Sequence, residues 1–414
     1  MWLRGRGLTS ATASAAAVAV PSPKAIVPAL GITQILAWGS SYYLPAVLAK
    51  PIAADTGWPL TWIVAGLSLG LLIAGLVSPL VGRQIHRRGG RPVLATSAVL
   101  LGIGQLGLAA APSLPVFIGA WIAIGLGMGA GLYDAAFSTL GRLYGQAARH
   151  HITTLTLFGG LASTACWPLS AFLVTELGWR GACATYAGIQ LLFSLPIYLL
   201  VVSDRDAPSW ETTDKAAAEK SAAIGPARLR VVFVLLAATI MVGSMLSTVI
   251  SVHLLTMLQV HGLALAGAVA LGAMVGPSQV GARFIEMLVS RYHHPIWTKV
   301  ASVALVALGL GLFWAGIPII ALALVLYGAG IGLESIARAT LPLALFGAAN
   351  YAPIMGRLAM PSLIAQAAAP SLGALLIQLL GVEGALGTIV TVAAANVCLV
   401  LVLVAITAPQ RRTV

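Results

Sequence analysis

Apolar runs of about 20 residues, the length a helix needs to cross a bilayer, follow one another along this chain, separated by charge or by Pro and Gly. They predict twelve spans, at residues 26–49, 61–82, 92–111, 115–140, 153–175 and 181–202, then 229–252, 264–288, 297–315, 318–340, 353–380 and 384–407. The connections are short apart from the N-terminus and one central loop, which leaves no room for a soluble domain. That loop, residues 203–228, holds five of the eleven acids (Asp204, Asp206, Glu211, Asp214 and Glu219) and divides the chain into two six-span halves, 26–202 and 229–407. Residues 1–25 place Arg4 and Arg6 before an Ala/Ser/Thr stretch too weakly apolar for a signal peptide. We expect a flexible cytoplasmic extension there, since the first span already supplies an insertion signal; residues 408–414 form a tail.

Composition agrees with the pattern: 59% of the 414 residues are hydrophobic and 8% are charged. A soluble domain carries about 25% charged residues, so a water-soluble enzyme, a nucleic-acid-binding module and a disordered scaffold are excluded. The net charge of +12 has to be located before it means anything. Of the 20 loop lysines and arginines, 18 fall on the side that carries both termini, Lys299 counted among them, and the opposite side has Lys50 and Arg180. By the positive-inside rule both termini are cytoplasmic, in the inner (plasma) membrane. The charge is therefore an orientation signal, and no nucleic-acid partner is implied.

The three cysteines, Cys166, Cys183 and Cys398, lie in or at the ends of apolar segments without CxxC spacing, so they read as small buried residues and not as a disulfide or metal framework. No GxSxG, HExxH or phosphate loop is present. The pairs His150-His151 and His293-His294 lie in cytoplasmic loops and read as solvated interface residues. An enzyme is not expected, nor a cofactor or metal.

The halves match weakly at shifts of 198 to 202. Val81-Gly82 and Arg83 lie opposite Val280-Gly281 and Arg283; Gly131-Leu132 and Thr139-Leu140 lie opposite Gly332-Leu333 and Thr340-Leu341; Pro168 lies opposite Pro370. Three matches in chain order support a parallel duplication. After the second span stands Gly82-Arg-Gln-Ile-His86-Arg87-Arg88-Gly89-Gly90-Arg91-Pro92, which resembles the signature loop G-x-x-x-D-R-x-G-R-R of the major facilitator superfamily. With twelve spans and a central loop, the resemblance covers residues 26 to 407. It implies an all-α membrane protein with twelve transmembrane helices in two pseudo-symmetric six-helix bundles, and a secondary transporter working by alternating access. His86 stands where the family carries an aspartate that helps latch the cytoplasmic gate. The flanking Ser78-Pro-Leu-Val-Gly-Arg and Gly89-Gly-Arg-Pro look most like the bacterial branch of monocarboxylate and oxalate/formate carriers.

Pairs of glycines at GxxxG spacing, among them Gly66/Gly70, Gly125/Gly129 and Gly328/Gly332, allow close helix approach, either as rigid packing or as sliding contact. In the fifth span Gly159-Gly160 and Pro168 resemble the antiporter motif faintly, with Trp167 in place of a glycine.

Ionisable residues inside spans are costly and carry functional hypotheses. Six qualify: Asp134, Arg283, Glu286, Glu334, Arg338 and Arg357. Spacing allows Arg283 to meet Glu286, and Glu334 to meet Arg338, on one helix face. Asp134 reads either as a gate acid paired with Arg83 or Arg87 or as the site of proton coupling; Glu334, Arg338 and Arg283 read as gate, proton or substrate contacts. The cavity candidates are neutral: Gln34, Trp38 and Tyr42 as a stripe on the first span, Ser247 on the seventh, and Tyr133, Gln279, Tyr327 and Gln366. The expectation is a monomeric carrier in the lipid bilayer that moves a small organic molecule, coupled to protons, with efflux favoured. Uptake or exchange of a carboxylate-bearing metabolite is the alternative if an intramembrane arginine reaches the cavity. A non-transporting receptor is a further one.

Overall fold

The computed structural model describes residues 22–202, 226–316 and 320–411; the bulk of the expected N-terminal extension and central loop and the end of the tail lie outside the described residues. Every regular element among the described residues is helical. In the first half these are α1 (Pro23–Gly39), α2 (Leu44–Thr56), α3 (Leu60–Arg88), α4 (Gly90–Ala109), α5 (Leu114–Gly131), α6 (Tyr133–Tyr144), α7 (Ala148–Gly160), α8 (Ala162–Ile189) and α9 (Leu195–Val201). The second half has α10 (Pro226–Val260), α11 (Leu265–Gly272), α12 (Val275–Val289), α13 (Pro295–Trp314), α14 (Ile320–Phe346) and α15 (Tyr351–Arg411).

Eight continuous helical stretches are long and apolar enough to cross a bilayer, and two of them must fold back. The 57 residues from Tyr351 to Thr407 would measure roughly 85 Å as one straight helix, nearly three times a hydrocarbon core of about 30 Å. Gly381, at φ 69 and ψ 176, turns that chain; the 88-residue stretch Leu114–Val201 turns twice, at Gly145 (φ 56, ψ −134) and, with the geometry of Gly381, at Gly178 (φ 69, ψ 173). A side chain would be strained at such a positive φ. The turns at Gly178 and Gly381 share a pattern, Leu177-Gly178-Trp-Arg-Gly181 and Leu380-Gly381-Val-Glu-Gly384, a further trace of duplication that the sequence comparison missed. Together with the crossing that α1 and α2 make jointly, the path comprises the twelve crossings expected.

Small residues set how closely these helices meet. A Cβ on Gly125 would lie 2.7 Å from the Gly70 carbonyl oxygen, and one on Gly328 would lie 2.7 Å from that of Val275. The GxxxG faces of α5 and α14 therefore press backbone against backbone on α3 and α12, which places fourth-against-second and tenth-against-eighth crossings alike in both halves.

The halves meet mainly at one end. Packing across the divide runs through α3 with α15, α7 with α12 and α14, and α6 with α15, whereas α2, α8 and α11 at the other end are not among the packed pairs. One apolar cluster joins Ile85, Phe137 and Leu140 to Leu343, Tyr351 and Met355. The divide is thus closed at the end that carries the Gly82–Pro92 segment.

Candidate functional site

Four crossings are interrupted along their length. Leu132, between α5 and α6, is fully extended (φ −77, ψ −170). Residues 40–43 between α1 and α2, Leu161 between α7 and α8, and residues 273–274 between α11 and α12 are single turns that interrupt the regular helix, with Tyr43, Leu161, Ala273 and Met274 still at right-handed helical dihedrals. An interruption at membrane depth frees backbone groups that must find partners within the protein. Buried glutamines supply them in the first half. Gln34 Nε2 donates to the Gly131 carbonyl at 2.6 Å, Gln105 Nε2 donates to the Ser40 carbonyl, and Gln190 Nε2 donates to Ser40 Oγ at 2.8 Å.

A cleft opens between the halves beside the break at Leu132, lined by Trp38, Leu71, Ser78, Met128, Tyr133, Leu363 and Gln366 together with Asp134 and Arg338. Of the neutral residues expected there, Trp38, Tyr133 and Gln366 line it. Trp38 packs against Tyr42 and Tyr133 with ring centroids 5.2 and 5.1 Å away, and its buried indole N–H has no partner. Tyr42 lies next to this wall, within reach of Thr248 on α10. Gln34 is fully buried on the Gly131 carbonyl, away from the cleft, and Tyr327 is buried within the second half, donating to the Ser247 carbonyl at 3.4 Å.

The ion pairs differ from those that spacing suggested. Asp134 pairs neither with Arg83 nor with Arg87: Arg338 Nη2 crosses the divide and donates to both of its carboxylate oxygens, at 2.9 and 2.8 Å. Glu334 faces into its own half instead of meeting Arg338, accepting from Lys299 Nζ at 2.5 Å and from Ser302 Oγ at 2.8 Å. Lys299, counted above as a loop charge, is completely buried on α13. The signal was there to use: an acid inside a span demands a counter-charge, and Lys299 is three residues before Ser302, on the same helix face. Glu286 accepts from Thr298 Oγ1 at 2.7 Å and lies 3.5 Å from His293 Nε2, not on Arg283.

Arg283 stands apart. It is 6% exposed, and Nη1 donates across the divide to the Thr156 carbonyl at 2.9 Å. Longer bonds of 3.4 Å run to the Gly332 carbonyl and Gln279 Oε1. No carboxylate pairs with it among the described residues. The Tyr133 hydroxyl, which lines the cleft, donates to the same Thr156 carbonyl at 3.4 Å.

In the signature segment, Gly82 sits where α3 crosses α15 against Ala352 and Gly356. Arg142 donates to the His86 carbonyl, so the imidazole is not the group that makes this contact. Gly89, at φ 85, makes the turn into α4, with His86 and Arg87 exposed just before it and Arg91 half-buried just after. Closure where the family's aspartate is missing falls to other bonds: Arg149 Nη2 to the His293 carbonyl at 2.9 Å and Gln146 Nε2 to the Leu343 carbonyl at 3.3 Å. The three cysteines are free; Cys166 and Cys183 are buried as expected, but Cys398 faces outward.

Twelve crossings in two halves around a cleft, with interrupted helices beside it, are the architecture of a membrane carrier that binds its solute between bundles. The family model of the Major Facilitator Superfamily matches residues 30–352, and the chain belongs to that family. It is a secondary transporter and not an enzyme. Its fold is similar to the crystal structure of the human organic anion transporter MFSD10 (TETRAN), with a TM-score of 0.68 and 15% identity over 92% of this chain and 100% of that one. It is also similar to the proton:xylose symporter XylE bound to 6-bromo-6-deoxy-D-glucose, with a TM-score of 0.68 and 14% identity over 91% and 94% of the two chains. The outward conformation of FucP gives 0.66 and 14% over 92% and 98%. An uncharacterized 38 kDa protein in the 23S RNA operon of Thermoproteus tenax is 29% identical over 180 residues, 43% of this chain and 47% of that protein, so the match spans about half of its length.

Proposed function

We propose that this carrier moves a small organic acid across the plasma membrane by alternating access, coupled to protons, as a monomer with both termini in the cytoplasm. The observation that carries this reading is Arg283, a buried guanidinium satisfied among the described residues by neutral oxygens alone, on a carbonyl it shares with the Tyr133 hydroxyl. A buried charge without a counter-charge is destabilising, and an arriving carboxylate that takes the guanidinium fork relieves it. This observation favours the carboxylate reading over efflux of neutral amphipathic solutes. Arg338 adds to it by lining the cleft, where Asp134 engages Nη2 alone.

Asp134 is the coupling acid in this reading. Protonated, it lets go of Arg338 and weakens the bond between halves; ionised, it restores it, which ties proton binding to the state of the divide. The experiment is flux into proteoliposomes with and without an imposed pH gradient, comparing benzoate, benzyl alcohol and benzylamine. Each is counted only above its uptake into protein-free liposomes, because the uncharged forms cross a bilayer unaided. Accumulation of the acid alone, lost in Arg283→Gln, is the expected result. Equal handling of all three compounds, or accumulation that survives Arg283→Gln, would refute the acid reading.

A further inference from the structure

Helix α14 carries two ion pairs one turn apart that point in different directions. Arg338 reaches out of its half to Asp134, and Glu334 reaches into its half to Lys299. Residues four apart on a helix are neighbours, so Glu334 and Arg338 can meet without any movement of the backbone. Among the described residues, Arg338 Nε and Nη1 make no hydrogen bond. Glu334 is 15% exposed, while Lys299 Nζ is enclosed and commits to Glu334, with the Thr239 carbonyl at 3.5 Å as its one further acceptor among the described residues.

We propose that Lys299 is a positioning residue that keeps Glu334 in reserve as a second partner for Arg338, so that the halves part at their closed end by passing Arg338 from Asp134 to Glu334. Parting without such an exchange strands a guanidinium that is 18% exposed, and removing one partner of a largely buried pair shifts an equilibrium by two orders of magnitude or more. Passing Arg338 along its own helix avoids that. Lys299 is left in its turn with the Thr239 carbonyl at 3.5 Å, which Asn396 Nδ2 shares at 3.4 Å. Gly243 keeps the space open: a Cβ there would lie 3.5 Å from Glu334 Oε1 and 3.8 Å from Asn396 Nδ2. The exchange rests on the reading of the chain as an alternating-access carrier.

The test uses the whole chain in nanodiscs, its three cysteines replaced by alanine, with spin labels on Arg88→Cys and Arg291→Cys, which are exposed on opposite halves at the closed end. Lys299→Met frees Glu334 to take Arg338 and is expected to raise the long-distance population about tenfold or more with Asp134 intact. Ser302→Ala removes the other bond to Glu334 and is expected to shift it the same way, about threefold, which keeps the test open should Lys299→Met not fold. Adding Glu334→Gln to either is expected to restore the closed distribution. A purely structural Lys299 would lower thermal stability and leave the distances alone. Unchanged distances in folded Ser302→Ala, or an opening that persists after Glu334→Gln, overturn the exchange. The distances are read without solute, so a failure of proteoliposome flux counts against the carrier reading and a failure of the distance series against the exchange.

Discussion

Where α3 crosses α15, no side chain separates the helices, and adding one methyl group there should bias the whole carrier. A Cβ on Gly356 would overlap the Ser78 carbonyl oxygen and lie 3.1 Å from its carbon and 3.2 Å from the Gly82 Cα. All three obstacles are backbone, so no rotamer change relieves them and the helices must separate. Overpacking of this kind costs about 1–3 kcal/mol, and the cost falls on the closed state alone, since the crossing comes apart when the halves part. At about 1.4 kcal/mol per tenfold, Gly356→Ala should move the closed-to-open ratio by roughly fivefold to 150-fold. Gly281 is the repeat mate of Gly82 and has nothing within 4 Å of a built Cβ, so Gly281→Ala is the control. Alanine favours a helix over glycine by about 0.5–1 kcal/mol, hence the control should gain thermal stability without any change in distance. The Arg88 and Arg291 label pair reads the outcome. If Gly356→Ala and Gly281→Ala give the same distribution, the crossing is not what holds this end shut.

Three further outcomes are expected. Asp134→Asn should abolish pH-gradient-driven accumulation while leaving substrate binding intact, measured as flux and as thermal shift on the same preparation; unchanged accumulation removes Asp134 from the mechanism. Trp38→Ala should impair transport at near-normal folded yield, whereas Gln34→Ala, which strands the Gly131 carbonyl, should cost about 1–3 kcal/mol and show as a lower melting temperature. A cysteine at position 215 should resist impermeant reagents in intact cells, and labelling there would reverse the orientation.

The helices were legible because a bilayer demands about 20 apolar residues per crossing, a condition each run meets on its own. Partners were harder to read, since spacing along one helix reveals only neighbours on that helix. Asp134 and Arg338 lie 204 residues apart, and no local pattern connects them. Lys299 was misread for a related reason: it stands one turn inside α13, which begins at Pro295, where a loop charge and a buried cation look alike until Glu334 is set against it. Leu132 carries no breaker of its own, so the interruption of the fourth crossing was hidden inside an unbroken apolar run, and with it the reason why Gln34 is polar. Trp38 was legible as part of the stripe on the first span, while Tyr133 and Gln366 stood out only as single polar or aromatic positions within apolar runs.

The interruptions and the glycine crossing fall on different helices. Breaks occur in the first, fourth, fifth and eighth crossings, while α3 and the Tyr351–Gly381 arm of α15, which bear the crossing at Gly82 and Gly356, run through the same depth without one. Selection can therefore act on the two separately. A change of residue around Leu132, which borders the cleft, leaves the backbone contact at Gly82 and Gly356 untouched.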